Sequence, residues 1–435
     1  MTRTVRQILM ATLGMRGREA ADVSRTQRFL ACFCLVSPVS EPSSLRHWSR
    51  RERTSSDCRS SCRKLLAVFA LLGLSQAVSA SVLPEDRTDF LYHRYDGGGV
   101  TIDGPSVLVR KSVGKSVSLS ANYYVDMVSS ASIDVITTAS PYTEERTQYS
   151  LSADYLRGNT TMSMGYTNSV ESDFDANTYS LSLAQDMFGS LTTLTLSYAY
   201  GDDTVRRSDD PTFFRDNTRQ TYGIGLTQIL TRNMITALNV EVITDEGFLN
   251  NPYRSVRYFD PDSPVGYSFE PELYPRTRTT NAVGIRAKYY LPYRAALEAQ
   301  YRYFIDTWDI ESHTGSISYI HPWRDFTFTA KYRYHDQTGA HFFRDLFARS
   351  EATNFRGRDK ELSPLRSSTV KLSAAYEFIS DGWNFIDKGT VNVSLDYLQV
   401  DYKEFRDIST GNPLGSEPFY ALDATVLQVF FSFWY

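Results

Sequence analysis

No cysteine occurs after Cys62. The four present, Cys32, Cys34, Cys58 and Cys62, all fall in the first 80 residues of a 435-residue chain. A disulfide framework, a cysteine metal site and a thiol nucleophile are therefore excluded for the remainder. No lipoprotein anchor is expected there either. Long apolar runs are scarce: mean hydropathy is −0.34, and the run at 65–74, LLAVFALLGL, is ten residues, about half of the ~20 that a spanning helix needs. Basic excess is missing as well. Beyond residue 80 the chain carries 33 Lys and Arg against 45 Asp and Glu, near −12, which argues against nucleic acid as a partner. Histidine is rare. His93, His313, His321, His335 and His341 follow no zinc-ligand spacing, so ordinary polar roles are expected for them. An outer-membrane lipid-acting enzyme would need an outward serine beside a histidine, and no motif points to one. No catalytic residue, cofactor or metal is expected.

What is plentiful is aromatic: 29 Tyr and 25 Phe. That richness separates the chain from disordered sequences. Residues 1–80 read as a leader. Arg63 and Lys64 precede the apolar run, and Val78-Ser79-Ala80 is a small-x-small site, the layout of a secretory signal with cleavage after Ala80. Residues 1–60, rich in Arg and Ser, precede an unusually late signal and suggest a mis-called start. Residues 81–115, rich in Asp, Gly and Pro, read as a periplasmic lead-in or small plug, with Gly97-Gly98-Gly99 a flexible stretch.

From residue 116 to 435 the pattern has period two. Val117, Leu119, Ala121, Tyr123 and Val125 alternate with Ser118, Ser120, Asn122, Tyr124 and Asp126. Tyr149, Leu151, Ala153 and Tyr155 alternate with Ser150, Ser152 and Asp154, and the same holds around 194–200, 326–334 and 391–397. Such alternation puts each set on one face of a strand. The segments run about 10–14 residues, the length of a tilted strand crossing the hydrocarbon. In lipid every backbone group needs a partner, so the sheet must close. Short turns are expected at 157–159, 187–189, 231–232, 292–293, 321–323 and 381–387. Longer connections are expected at 129–144, 170–174, 202–216, 246–276, 308–310, 337–365 and 402–421. The fold class expected is all-β: a transmembrane antiparallel β-barrel of 14 strands, within a range of 12–16, in the outer membrane of a Gram-negative bacterium. Both termini would lie on the periplasmic side.

The final strand carries a further signal. Leu427, Val429, Phe431, Phe433 and Tyr435 alternate and end on an aromatic residue. Gln428, Phe431, Phe433 and Tyr435 resemble the C-terminal assembly signal of outer-membrane barrels, with Phe430 in place of the usual small residue. This implies outer-membrane lipids and the barrel-assembly machinery as partners. The chain also resembles a bacterial family known mainly as a domain of unknown function, predicted to be outer-membrane or extracytoplasmic β-proteins. The resemblance lies in Leu91-Tyr92-His93-Arg94-Tyr95 with the Asp-Gly segment after it, in the Tyr-ended strands, and in Phe433-Trp434-Tyr435. It covers most of 81–435 and implies no activity.

The polar face contains charge of both signs, which a wet lumen would tolerate and a dry core would not. Expected lumen-lining residues are Asp126, Asp154, Arg286, Lys288, Glu298, Arg302, Asp306, Lys331, Arg333, Lys371, Glu377 and Asp396. The central ones form a basic stripe. Two function classes follow: a porin-like channel for small solutes, and a closed structural or assembly-associated barrel with an ion-paired interior. The loops at 246–276 and 337–365 are candidates to fold inward as a constriction or plug. The first is shaped by Asn250-Asn251-Pro252, Asp260-Pro261-Asp262 and Pro264.

Overall fold

A computed structural model describes residues 82–130, 142–379 and 385–435. The expected leader, 1–80, and most of the expected connection at 129–144 lie outside the described residues.

The strands are β1 (Arg87–Gly97), β2 (Val100–Val113), β3 (Val117–Ser130), β4 (Tyr142–Arg157), β5 (Thr160–Val170), β6 (Phe174–Met187), β7 (Thr192–Arg206), β8 (Phe214–Thr231) and β9 (Met234–Gly247). Then follow β10 (Ser255–Phe259), β11 (Tyr267–Pro271), β12 (Thr277–Tyr290), β13 (Ala296–Asp306), β14 (Glu311–Trp323), β15 (Phe326–Gln337), β16 (Leu365–Ile379), β17 (Lys388–Arg406) and β18 (Phe419–Trp434). Strands β10 and β11 form a separate hairpin inside the β9–β12 connection. The other sixteen close into one antiparallel barrel, sealed where β1 pairs with β18, Arg87 opposite Trp434.

Sixteen strands, not fourteen, build the wall, and the two additional ones come from the segment read as a lead-in. In β1, Leu91, His93 and Tyr95 are buried while Phe90, Tyr92 and Arg94 are exposed, a plain period of two. The glycines that suggested a flexible stretch make the turn. Gly98 and Gly99 take φ of 57° and 75°, the left-handed pair of a type I′ hairpin, which side chains resist. Pro105 has no N–H to give, and the β2–β3 ladder passes over Gly104 and Pro105 to resume at Ser106 opposite Tyr124. One further turn shifts. Strand β14 continues through His321-Pro322-Trp323, which were read as a turn, and reverses at 324–325.

The even count returns the start of β1 and the end of β18 to one rim, where the connections are short. The opposite rim carries the long ones, among them 248–276, 338–364 and 407–418. The outward face is apolar and exposed: Leu119, Leu151, Met164, Leu181, Ile285, Ile317, Leu372 and Leu395 are examples. A closed barrel wrapped in such a belt is what a bilayer requires. On the inner side, a large apolar cluster among the described residues lies at the long-loop rim. There Tyr95, Ile102, Val128, Leu398, Val400 and Val426 of the wall pack with Tyr274, Trp308, Phe342, Phe343 and Leu362 of the loops. Loops that touch inward-facing wall residues lie inside the barrel mouth.

Candidate functional site: the barrel interior

Register decides which side chains share the interior. Rows of paired residues run across the wall, and an inward residue pairs with inward residues on both neighbours. One row reads Arg286, Gln300, Ser316, Arg333 and Thr369 on β12 to β16. The next reads Lys288, Glu298, Ser318, Lys331, Lys371 and Asp396 on β12 to β17. A third places Arg302 opposite Gly284 and Thr314. The structure thus brings Arg286, Lys288, Arg302, Lys331, Arg333 and Lys371 onto one inner wall.

Their partners differ. Lys288 meets Glu298 at 3.4 Å, and Lys371 meets Asp396 at 3.0 Å. Arg302 reaches Glu241 on β9 at 3.0 Å, across β12. Gly284 is the intervening residue, opposite Asn239 on one side and Arg302 on the other, and its missing side chain leaves the crossing open. Arg302 keeps 44% of its side-chain surface exposed although it points inward. Ser180 and Ser197, inward on β6 and β7, are also exposed. These exposed inward residues lie along β6 to β13, bordered by small residues such as Gly165, Ser182 and Gly223.

The opposite interior is packed and polar. Asp126, wholly buried, receives Tyr124 Oη at 2.7 Å and Arg146 Nη1 at 3.1 Å, and sits 2.8 Å from His93 Nε2. Arg146, also buried, donates to Ser169 at 2.9 Å and lies 3.6 Å from Glu171. His93 is on β1 and Asp126 on β3. They meet because β2 offers only Gly104 between them, opposite His93, where an added Cβ would lie 1.9 Å from the Val125 carbonyl oxygen. Asp154 accepts from Ser163. Asp306 is a turn residue at the mouth: its Oδ1 accepts from the main-chain N–H groups of Trp308 and Ile310 at 2.9 and 3.0 Å, and its Oδ2 from Arg278. Glu377 pairs with Lys388 at 2.9 Å near the short-turn rim.

At the seam, Gln428 points inward and accepts from Lys371 Nζ at 3.2 Å and Ser394 Oγ at 3.1 Å. Phe431 and Phe433 face outward beside Phe90 and Thr88. Tyr435 ends the closing edge. Its hydroxyl donates to the Arg110 carbonyl at 3.2 Å, and Lys111 lies 4.8 Å from its ring centre.

The histidines scatter. His313 and His321 face outward beside Tyr301 and Tyr319, and His335 faces inward on Thr314 and Gln337. Glu144, Glu171 and Asp173 bring carboxylate oxygens within 4.8 Å of one another, but Arg146 already engages Glu171, and Ser172 donates to Glu144. The sequence reading did not anticipate His93, Arg146, Glu171 or Glu241. Continuing the alternation upstream to 87–97 would have turned His93 inward, and pairing Ser118 with Asp154 already sets Arg146 opposite Asp126.

Above this interior the long loops interlock. Arg257 of β10, wholly buried, grips Asp345, and its Nη1 meets Glu417 of the β17–β18 loop at 2.6 Å. Arg358 also holds Asp345, at 2.9 Å, over the Phe405 ring. Burial alone would raise the Glu417 carboxyl, yet the hydrogen bond from Arg257 holds it below the ordinary range. Burial, and then the nearby Asp359 charge, push Glu272 up to about 7.

A closed, lipid-belted sixteen-strand wall with a polar interior defines an integral β-barrel of the outer-membrane class. The chain belongs to the family described as "Protein of unknown function (DUF3570)", whose model matches residues 133–217 and 212–433. No curated protein matches it. Among solved structures it is similar to a "Bacterial polysaccharide outer membrane secretin" at 8% identity and a TM-score of 0.44, over 81% of this chain and 100% of that one. It is also similar to OpdK of Pseudomonas aeruginosa (9% identity, TM-score 0.39, 80% and 98% covered). A third is OccK2 (OpdF) of Pseudomonas aeruginosa, solved with glucuronate (9% identity, TM-score 0.40, 81% and 99% covered). At these values the likeness concerns barrel architecture and carries nothing about cargo.

Proposed function

We propose that this barrel is a porin-like channel for small anionic solutes. The observation that carries the reading is the placement of Arg302: inward, 44% exposed, and among Arg286, Lys288, Lys331, Arg333 and Lys371 on one wall. Burying that much charge without water would be costly, so exposure and charge together favour an aqueous path with a basic side. Arg333 adds to the positive field, because it faces the lumen near the like charge of Arg302 and pairs with no carboxylate among the described residues. Fields of one sign along a narrow, low-dielectric passage concentrate counter-charged solutes.

A second reading has its own observation. The loop cluster packed inside the mouth favours a closed structural or assembly-associated barrel. Purified protein in planar bilayers separates the two. The channel reading expects discrete conductance steps and, in a KCl gradient, a reversal potential of anionic sign. Substituting Arg302→Glu with Arg333→Glu is expected to abolish or invert that sign. Flat traces would defeat the channel, and cation selectivity in the native protein would defeat the anionic part.

A further inference from the structure

The outer loops are tied to each other more firmly than connections between strands require. Segments 248–276 and 338–364 share a short run of main-chain pairing: Leu273 N–H donates to Arg356 O at 2.9 Å and Arg356 N–H to Leu273 O at 2.8 Å. Phe259 N–H donates to Phe347 O, and Phe347 N–H to Arg257 O. Segment 407–418 joins through Glu417 on Arg257. Beneath this knot, Phe342, Phe343 and Leu362 press against the inner wall, so the knot holds a cover over the interior.

Several buried carboxylates sit at the junction, and Glu272 bridges the two segments. Glu272 is 4% exposed. From its own segment Tyr274 donates to it at 2.6 Å; from the facing segment the Arg358 main-chain N–H donates at 2.6 Å. Charged groups that act on it are Arg254, which is ion-paired with Asp359, and Asp359 itself; the buried Lys360 and Glu361 follow Asp359 in the same segment. The Arg358 guanidinium is turned away to Asp345 and the Arg406 carbonyl, and Arg356 is taken by Glu270 at 3.1 Å. Arg254 thus faces both carboxylates. A neutral Glu272 leaves the Arg254–Asp359 pair balanced. An ionised Glu272 adds a second buried negative charge beside Asp359 that both loops enclose.

We propose that the interlocked outer loops are a pH-released latch over the lumen, locked while Glu272 is protonated and loosened when it ionises. As a means of regulating passage this rests on the channel reading above. The latch itself does not. The sign follows from linkage. A carboxyl raised to about 7 in the locked state, against an ordinary 4.5, stabilises that state fully below 4.5, and the advantage is gone once pH has risen through 7. Between pH 5.5 and 8.5 the opening equilibrium should rise on the order of 30-fold.

The test is hydrogen exchange of the full chain in lipid, with rates normalised to the intrinsic exchange rate at each pH. The amides of Phe259, Leu273, Phe347 and Arg356 report the knot. Their protection is expected to fall roughly 30-fold from pH 5.5 to 8.5, while barrel amides stay constant. Glu272→Gln should hold the knot protected at both pH values, because the Tyr274 hydroxyl can turn to accept from the new amide. Asp359→Asn removes the like charge and should move the transition to lower pH, which keeps the test alive if the first variant folds poorly. Protection independent of pH in the native protein, or an unaltered fall in Glu272→Gln, would overturn the latch. A Leu273→Cys/Arg356→Cys pair sits at directly opposed positions suited to a disulfide. Oxidation should suppress current and abolish its pH dependence, and reduction should restore both. Exchange reads the latch without any current, so flat bilayer traces count against the channel alone.

Discussion

Removing the Asp126 carboxylate is the sharpest perturbation of the packed interior. Asp126 is wholly buried and receives Tyr124 and Arg146 at 2.7 and 3.1 Å, with His93 at 2.8 Å. Arg146 is 2% exposed, and in Asp126→Ala it retains Glu171, at 3.6 Å, as its acidic neighbour among the described residues. Breaking a buried ion pair by deleting one partner costs about 3–5 kcal/mol. Because Glu171, Ser169 and Gln148 still receive Arg146, the lower end, about 3 kcal/mol, is expected. Equilibrium urea unfolding in lipid vesicles, followed by far-ultraviolet circular dichroism, measures it. The double variant Asp126→Ala/Arg146→Met removes both charges and should recover more than 1 kcal/mol of the loss, a coupling that a double-mutant cycle isolates. A single-variant loss below about 1 kcal/mol, or additive losses, would refute the reasoning, since it would mean that the cluster is solvated from the lumen.

Two further substitutions test local geometry. Gly104→Ala puts a Cβ 1.9 Å from the Val125 carbonyl oxygen, so β2 and β3 must part. A loss of about 1–3 kcal/mol in the same unfolding assay is expected, and an unchanged midpoint would contradict the crossing. Deleting Tyr435 removes the hydroxyl bond to Arg110 and the ring beside Lys111. The folded, heat-modifiable band on gels of membrane fractions is expected to fall several-fold, and Tyr435→Phe should restore most of it if the aromatic ring is what assembly reads.

Strands and faces were legible because one interaction, burial against lipid or against the interior, repeats every second residue. The opposed faces of β3, β4, β7, β15 and β17 follow from that alternation alone. The β1–β2 hairpin escaped because Gly97 to Gly99 and Pro105 look like loop chemistry, whereas here the glycines supply a tight turn and the proline falls where the ladder is interrupted. Alternation also could not show the crossings at Gly104 and Gly284, since these depend on what a neighbouring strand lacks. Arg257 and Glu417 lie 160 residues apart, and nothing local to either predicts their meeting. The loop candidates were visible as long segments, the first of them shaped by proline, but their interlocking is tertiary.

The central claim is that water and solutes reach the middle of the lumen. Ser197 points inward there and is exposed, and no native cysteine follows Cys62, so a single Ser197→Cys gives an unambiguous probe. In bilayers holding this variant, a water-soluble, negatively charged thiol reagent is predicted to label the position and lower the current within the recording, while the chain with Ser197 intact is unaffected. No labelling from either side, or full labelling with an unchanged current, would contradict a solute path through the barrel.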